Sequence, residues 1–97
     1  MSQYVLLCNF TDQGIRTIKE GQKRRAAARE LGKKLGVEIK AFYLAMGIYD
    51  LIIHVEATSD EALTKWALSV ASKGNVRTTT VKVFPEAEYE KIISAIE

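Results

Sequence analysis

Two strand-like segments follow each other directly in the middle of this chain, and a helical pattern lies on either side of the pair. The first, residues 37–46 (VEIKAFYLAM), opens with strict alternation of apolar and charged residues. The second, residues 46–57 (MGIYDLIIHVEA), opens with Met46-Gly47, which we expect to form a tight turn because glycine adopts positive φ readily. A central antiparallel hairpin between two helices restricts the chain to a small number of folds.

The N-terminal third predicts one strand and one long helix. Residues 3–10 (QYVLLCNF) form a continuous apolar run of strand length, which is typical of a strand buried on both faces. Thr11 or Asp12 can cap a short helical turn after it. A helix is predicted over residues 22–35 because apolar residues recur there at spacings of three and four, and Gly36 suits a left-handed C-terminal cap.

The C-terminal half predicts a helix, a strand and a second helix. Thr58 and Glu61 have the spacing of a capping box, and Gly74 ends the helix that they start. Residues 75–84 are rich in β-branched residues and are predicted as a strand, after which Pro85 suits the first turn of a final helix. The order β-α-β-β-α-β with an extra C-terminal helix predicts an α+β, ferredoxin-like fold, in which two helices cover one face of a four-stranded antiparallel sheet.

Length and composition limit the class of protein. The 97 residues predict a single domain over 1–97, and 47% apolar with 27% charged residues is typical of a globular chain. One cysteine and one histidine exclude an internal disulfide and a zinc site, and we expect neither a metal nor a cofactor. Cys8 lies in a strand expected to be buried, so we expect an inert thiol. No segment resembles a signal peptide or membrane span, which favours a cytoplasmic location.

The sheet face that the two helices leave uncovered is expected to be apolar. Alternation in the hairpin places Phe42, Leu44, Ile48 and Ile52 opposite the helix-facing residues. Such a patch is unusual on a monomer, and its burial is strongly favourable at roughly 25 cal/mol per Å². We therefore predict a homodimer in which two sheets pack face to face around a barrel-like interior. Higher assembly is left open.

Asp50 and His54 share one strand face and are expected to point into that interior. Four residues along a strand span about 13 Å, so the two side chains cannot bond each other within one chain. His54 is either a general base or a buried polar side chain satisfied by a neighbour. Asp50 accepts hydrogen bonds from turn amides or pairs with Arg77, whose guanidinium could instead hold an anionic ligand. The candidate ligand-binding residues are Asp50, His54, Phe42 and Arg77.

Basic residues are concentrated in one segment. Residues 16–40 carry nine lysines and arginines against three glutamates, a net charge of +6 in a chain whose total is +2. Neither a phosphate-binding loop nor an aromatic platform accompanies them, so we do not expect specific nucleic-acid recognition. A solvated helix face explains the cluster.

Three segments, NFTDQGIRTIKE, FYLAMGIYDLI and GNVRTTTVKVF, together resemble the GYD-domain family, named for a Gly-Tyr-Asp signature. Here the signature has one intervening residue: Gly47, Ile48, Tyr49, Asp50. The resemblance implies a dimeric α/β-barrel of the ferredoxin-like kind and assigns no biochemical role. We therefore hypothesise a homodimeric module that binds or senses a small molecule at the sheet face. The alternative is a cofactor-independent enzyme of the dimeric α/β-barrel type with His54 as general base.

Overall fold

A computed structural model describes residues 1–97 and contains one antiparallel sheet with helices on one face. The strands are β1 (Ser2–Phe10), β2 (Val37–Leu44), β3 (Leu51–Ala57) and β4 (Val76–Val83). The helices are α1 (Asp12–Arg16), α2 (Gly21–Leu35), α3 (Asp60–Ala71) and α4 (Glu86–Ser94), and a 3-10 turn over Ile18–Glu20 joins α1 to α2. The strand order is β2-β3-β1-β4 with every neighbouring pair antiparallel, which confirms the ferredoxin-like prediction. None of the helices is both long and apolar enough to cross a membrane.

The core lies between the sheet and the two long helices. Alternate side chains of β1, which are Tyr4, Leu6 and Cys8, are each at most 2% exposed and face α2 and α3. Trp66 of α3 is fully buried against them, and its indole Nε1 donates a hydrogen bond of 2.9 Å to the Ala28 carbonyl of α2. This bond fixes the separation of the two helices.

The helix ends follow capping chemistry, with one shift from the sequence prediction. The Thr11 hydroxyl accepts from the amide three residues on at 3.0 Å, and Gly36 ends α2 at φ 82°. The cap of α3 is Ser59, whose Oγ accepts from the Ala62 amide at 3.0 Å, so the capping box predicted from Thr58 is wrong by one residue. Thr58 lies at the bend between β3 and this cap, where its amide donates to the Gly36 carbonyl at 3.0 Å.

The connection between β2 and β3 is a loop of six residues, so the tight turn predicted at Met46-Gly47 is wrong. The loop is closed by a bond of 2.7 Å from the Ala45 amide to the Asp50 carbonyl, while the Asp50 amide donates to the Cys8 carbonyl at 2.9 Å. Its apolar tip is exposed, with Met46 fully accessible and Ile48 85% exposed. Because the loop tip is apolar, the sequence of this loop has the pattern of a strand and was predicted to continue the hairpin.

A β-bulge at Lys40 reverses the alternation of β2. Ile39 lies opposite Val55, whereas Ala41 lies opposite the next residue of β3, so Lys40 has no counterpart. Phe42 is therefore turned to the helix side, where it packs on the core beneath the Arg25 guanidinium at 5.9 Å. The prediction that Phe42 and Leu44 lie opposite the helix-facing residues is wrong, because one extra residue shifts every later side chain of β2 to the other face.

Candidate functional site

The sheet face opposite α2 and α3 carries an apolar patch. In register, Val5 lies between His54 and Val81, and Leu7 lies between Ile52 and Thr79. Because of the bulge, Tyr43 rather than Phe42 stands opposite Ile52 on this face, where it is 59% exposed. The patch consists of Val5, Leu7, Tyr43, Ile52 and Val81. We refer to the sheet face that carries this patch as the open face.

His54 belongs to a hydrogen-bonded trio on the open face. The Gln3 amide nitrogen donates to Glu56 Oε1 at 2.6 Å, and the Gln3 oxygen lies 2.6 Å from His54 Nε2. Because a carboxylate only accepts, the orientation of the Gln3 amide is set and His54 Nε2 must carry the donated hydrogen. A carboxamide does not exchange protons near neutral pH, so this contact supplies orientation and no acid-base partner. The hypothesis of an enzyme with His54 as general base stays a prediction.

Glu56 carries the negative charge of the trio. The hydrogen bond from Gln3 lowers the pKa of Glu56, and nearby Lys40, the N-terminus and His54 lower it further. Glu38 lies directly opposite on β2, an unfavourable pairing of like charges that Lys40 offsets at 3.7 Å from Glu38. Gln3 was absent from the sequence candidates because its proximity to His54 depends on the register of β1 against β3.

Asp50 is held at the end of β1. Its Oδ2 accepts from the Phe10 amide at 2.9 Å, so of the two partners predicted for Asp50 the structure has a backbone amide rather than Arg77. Arg77 is exposed on β4 opposite Asn9, four residues from the row that contains His54, a separation of about 13 Å. The four candidate ligand-binding residues therefore do not form one site. His54 lies mid-sheet, Asp50 and Arg77 lie towards one end, and Phe42 faces the helices.

Two of the segments that resemble the family meet at the N-terminal end of β4. The Thr11 amide donates to the Asn75 carbonyl at 3.1 Å and the Thr11 hydroxyl to the Gly74 carbonyl at 2.5 Å. Gln13 Nε2 donates to Asn75 Oδ1 and to the Lys73 carbonyl, both at 3.0 Å. We call these contacts the α1–β4 junction. Its residues stabilise the fold, a role that their positions in the sequence did not reveal.

A cavity of about 500 Å³ lies on the helix side, between α2, α3 and the sheet. Its apolar wall includes Leu6, Cys8 and Trp66, and the burial of Cys8 raises the pKa of its thiol to about 11. The bulge brings Phe42 into this wall. The only sequence feature that points to this cavity is the apolar stripe on α2. Two residues of that stripe, Ala27 and Ala28, have small side chains that leave the space open.

A second polar cluster joins the start of α3 to the sheet. The Tyr4 hydroxyl donates to Asp60 Oδ1, and Lys82 Nζ lies 3.0 Å from the same oxygen. These hydrogen bonds, Tyr4 first and Lys82 second, lower the pKa of Asp60. Burial and then the bond to Asp60 raise the pKa of Tyr4. The cluster ties three elements together at the opposite end of the sheet from the α1–β4 junction.

The chain is similar to proteins of one family and to solved structures of one fold. The model of the GYD domain matches residues 4–93. A Thermus thermophilus relative, named glutamine synthetase and cystathionine beta-lyase binding protein, is 32% identical over 91% of this chain and 94% of its own length. The crystal structure of FFRP-DM1 superposes with a TM-score of 0.60 at 21% identity, over 87% of this chain and 100% of that one. A feast or famine regulatory protein from M. tuberculosis, complexed with L-methionine, gives 0.60 at 19% identity over 88% of this chain and 51% of that one. At these identities the structures show a shared fold.

Proposed function

The chain belongs to the GYD-domain family, and we propose that it is a homodimeric binding module whose two sheets pack face to face. The observation that carries the proposal is the open face, an apolar patch that no helix of the same chain packs against. Only 12 of the 97 residues are buried in a single chain, so a partner would add substantially to the core. At roughly 25 cal/mol per Å², pairing two such faces is strongly favourable.

The ends of the molecule support a particular arrangement. The exposed loop tip, with Met46 and Ile48, lies at one end of the sheet, and α4 follows β4 at the other end. No residue of α4 is buried, and its apolar stripe is 42–54% exposed at Tyr89, Ile92 and Ile93. In a two-fold dimer with antiparallel strands, each loop tip would reach the partner's α4. Both exposed apolar segments would then be covered by one symmetric contact.

The trio of Gln3, His54 and Glu56 would lie inside this interface. A charged carboxylate there requires polar partners, because burying it unpaired is costly. A small, partly polar molecule held between the sheets would supply such partners, with Asp50 and Arg77 as further polar contacts towards the sheet end. This arrangement supports sensing, since the bound molecule would contact both subunits at once.

The named role of the Thermus thermophilus relative supports a protein partner as well. That protein is called a binding protein for glutamine synthetase and cystathionine beta-lyase. We propose that the dimer of this chain binds an enzyme of one of these two kinds, using surface that remains outside the dimer interface.

The test measures binding of the immobilised chain to purified glutamine synthetase and, separately, cystathionine beta-lyase by biolayer interferometry. Saturable binding of one enzyme is expected for the wild type, with none to an unrelated enzyme of similar size. The interface variant Ile52→Asp should bind more weakly, because it would lose the symmetric assembly, while Ile15→Asp on α1 should bind normally. Absence of binding to both enzymes would refute the choice of partner.

A further inference from the structure

We propose that the cavity between α2, α3 and the sheet is a binding site for an amphipathic anion, a monocarboxylate with an apolar chain. The site lies on the opposite side of the sheet from the open face, and it is independent of the proposed dimer. A volume of about 500 Å³ falls within the range of ligand-binding pockets.

The interior of the cavity suits an apolar chain. Most of its lining residues are hydrophobic. Its apolar wall includes Leu6 and Ile53 from the sheet, Phe42 after the bulge, Trp66 from α3 and Leu31 from α2. Trp66 Nε1 already donates to Ala28, so the indole offers the cavity its apolar surface.

Small residues and fixed backbone contacts keep the cavity open. Three of the α2 residues that line the cavity, Gly21, Ala27 and Ala28, do not extend beyond a methyl group. The helix is held at this distance by the bond from Trp66, and by Arg24, whose guanidinium donates to the Thr17 carbonyl at 2.7 Å. These bonds tie α2 to α3 and to the segment that precedes α2.

The rim of the cavity is positively charged. Four basic side chains line it, namely Lys23, Arg24, Arg25 and Lys73, against a single acid, Glu20. Glu20 forms a salt bridge of 3.5 Å with Lys23, whereas no salt bridge engages the other three. An apolar interior beneath cations that no carboxylate neutralises is complementary to a molecule with an apolar chain and an anionic head.

The chain contains its own probe, because Trp66 is the only tryptophan and lines the cavity. Fluorescence titrations would use decanoate, with decanol and decyltrimethylammonium as neutral and cationic ligands of equal chain length. Decanoate is expected to give a saturable change in Trp66 emission, with binding at least about tenfold tighter than that of either control, since one charge-assisted contact supplies about 1.4 kcal/mol or more. Equal affinity for all three ligands, or no saturable change, would overturn the proposal.

Two matched pairs of variants locate the site by isothermal titration calorimetry. Arg25→Gln combined with Lys73→Gln should weaken decanoate binding about fivefold or more, while Lys34→Gln with Lys91→Gln removes the same charge away from the rim and should leave it unchanged. Ala27→Phe should abolish binding by filling the cavity, and Ala26→Phe, at a neighbouring position of the same helix that does not line the cavity, should retain it. Circular dichroism verifies folding in each case. Wild-type affinity in Ala27→Phe, or an equal loss in both charge pairs, would contradict the assignment.

Discussion

Gly14 stands where the α1–β4 junction leaves no room for a side chain. A Cβ added to Gly14 would lie 2.0 Å from the Asn75 carbonyl oxygen and 2.9 Å from its carbon, both backbone atoms. To reach ordinary contact the two segments must separate by more than 1 Å. That movement would stretch the bond from the Thr11 amide to Asn75 and the bond from the Thr11 hydroxyl to Gly74.

The cost of Gly14→Ala follows from these contacts. Two weakened hydrogen bonds cost about 1 kcal/mol each, and overpacking adds about 1–3 kcal/mol. Alanine gains about 0.5–1 kcal/mol over glycine in a helix, so the net loss in the free energy of unfolding is expected to be about 2–4 kcal/mol. The control is Gly21→Ala, where the nearest atom is the flexible Arg25 guanidinium at 3.1 Å, and stability should be equal or slightly higher.

Urea unfolding followed by circular dichroism measures both variants. The midpoint of Gly14→Ala should fall at an unchanged slope, since the surface exposed on unfolding is the same. A Gly14→Ala protein as stable as the wild type would refute the reasoning that the junction is closely packed.

Three further outcomes follow from the local chemistry. Ser59→Ala should cost about 1 kcal/mol through loss of the α3 cap, and Thr58→Ala distinctly less, as compared by urea midpoints. Cys8, with a pKa raised to about 11, should resist iodoacetamide at pH 8 in the native protein and react once urea unfolds it; rapid native labelling would show that the strand is accessible. The lowered pKa of Asp60 means that its contribution to stability is present above about pH 4 and is lost as pH falls through the lower folded value. Asp60→Asn should therefore flatten the acid side of the stability profile, and an unchanged acid slope would contradict this.

The fold was predictable because its signals are local. The apolar run of β1, the Gly36 cap and the β-branched residues of β4 each indicate one element through neighbouring residues, and their order selects the ferredoxin-like topology. The hairpin was only partly predictable. A bulge at Lys40 leaves no mark in a pattern of alternation, yet it moves Phe42 to the helix side.

The candidate sites depended on information that a sequence carries only indirectly. Gln3 and His54 are 51 positions apart, and their contact follows from strand register. The cavity exists because Ala27 and Ala28 have short side chains. In the sequence these residues indicate only an apolar stripe, and the space beside them becomes apparent once the distance between α2 and the sheet is known. Packing and register are tertiary properties, whereas periodicity reports only which side chains share a face.

Sedimentation equilibrium of the wild type and Ile52→Asp tests the central claim, that two open faces pack together, most directly. The wild type should have twice the chain mass of 10.8 kDa. Ile52→Asp should give monomer or aggregate, because it places a charge in the middle of the apolar patch, and Ile15→Asp, which makes the same change on an exposed residue of α1, should remain dimeric. A soluble dimer of Ile52→Asp with unchanged affinity, or a monomeric wild type, would contradict the account.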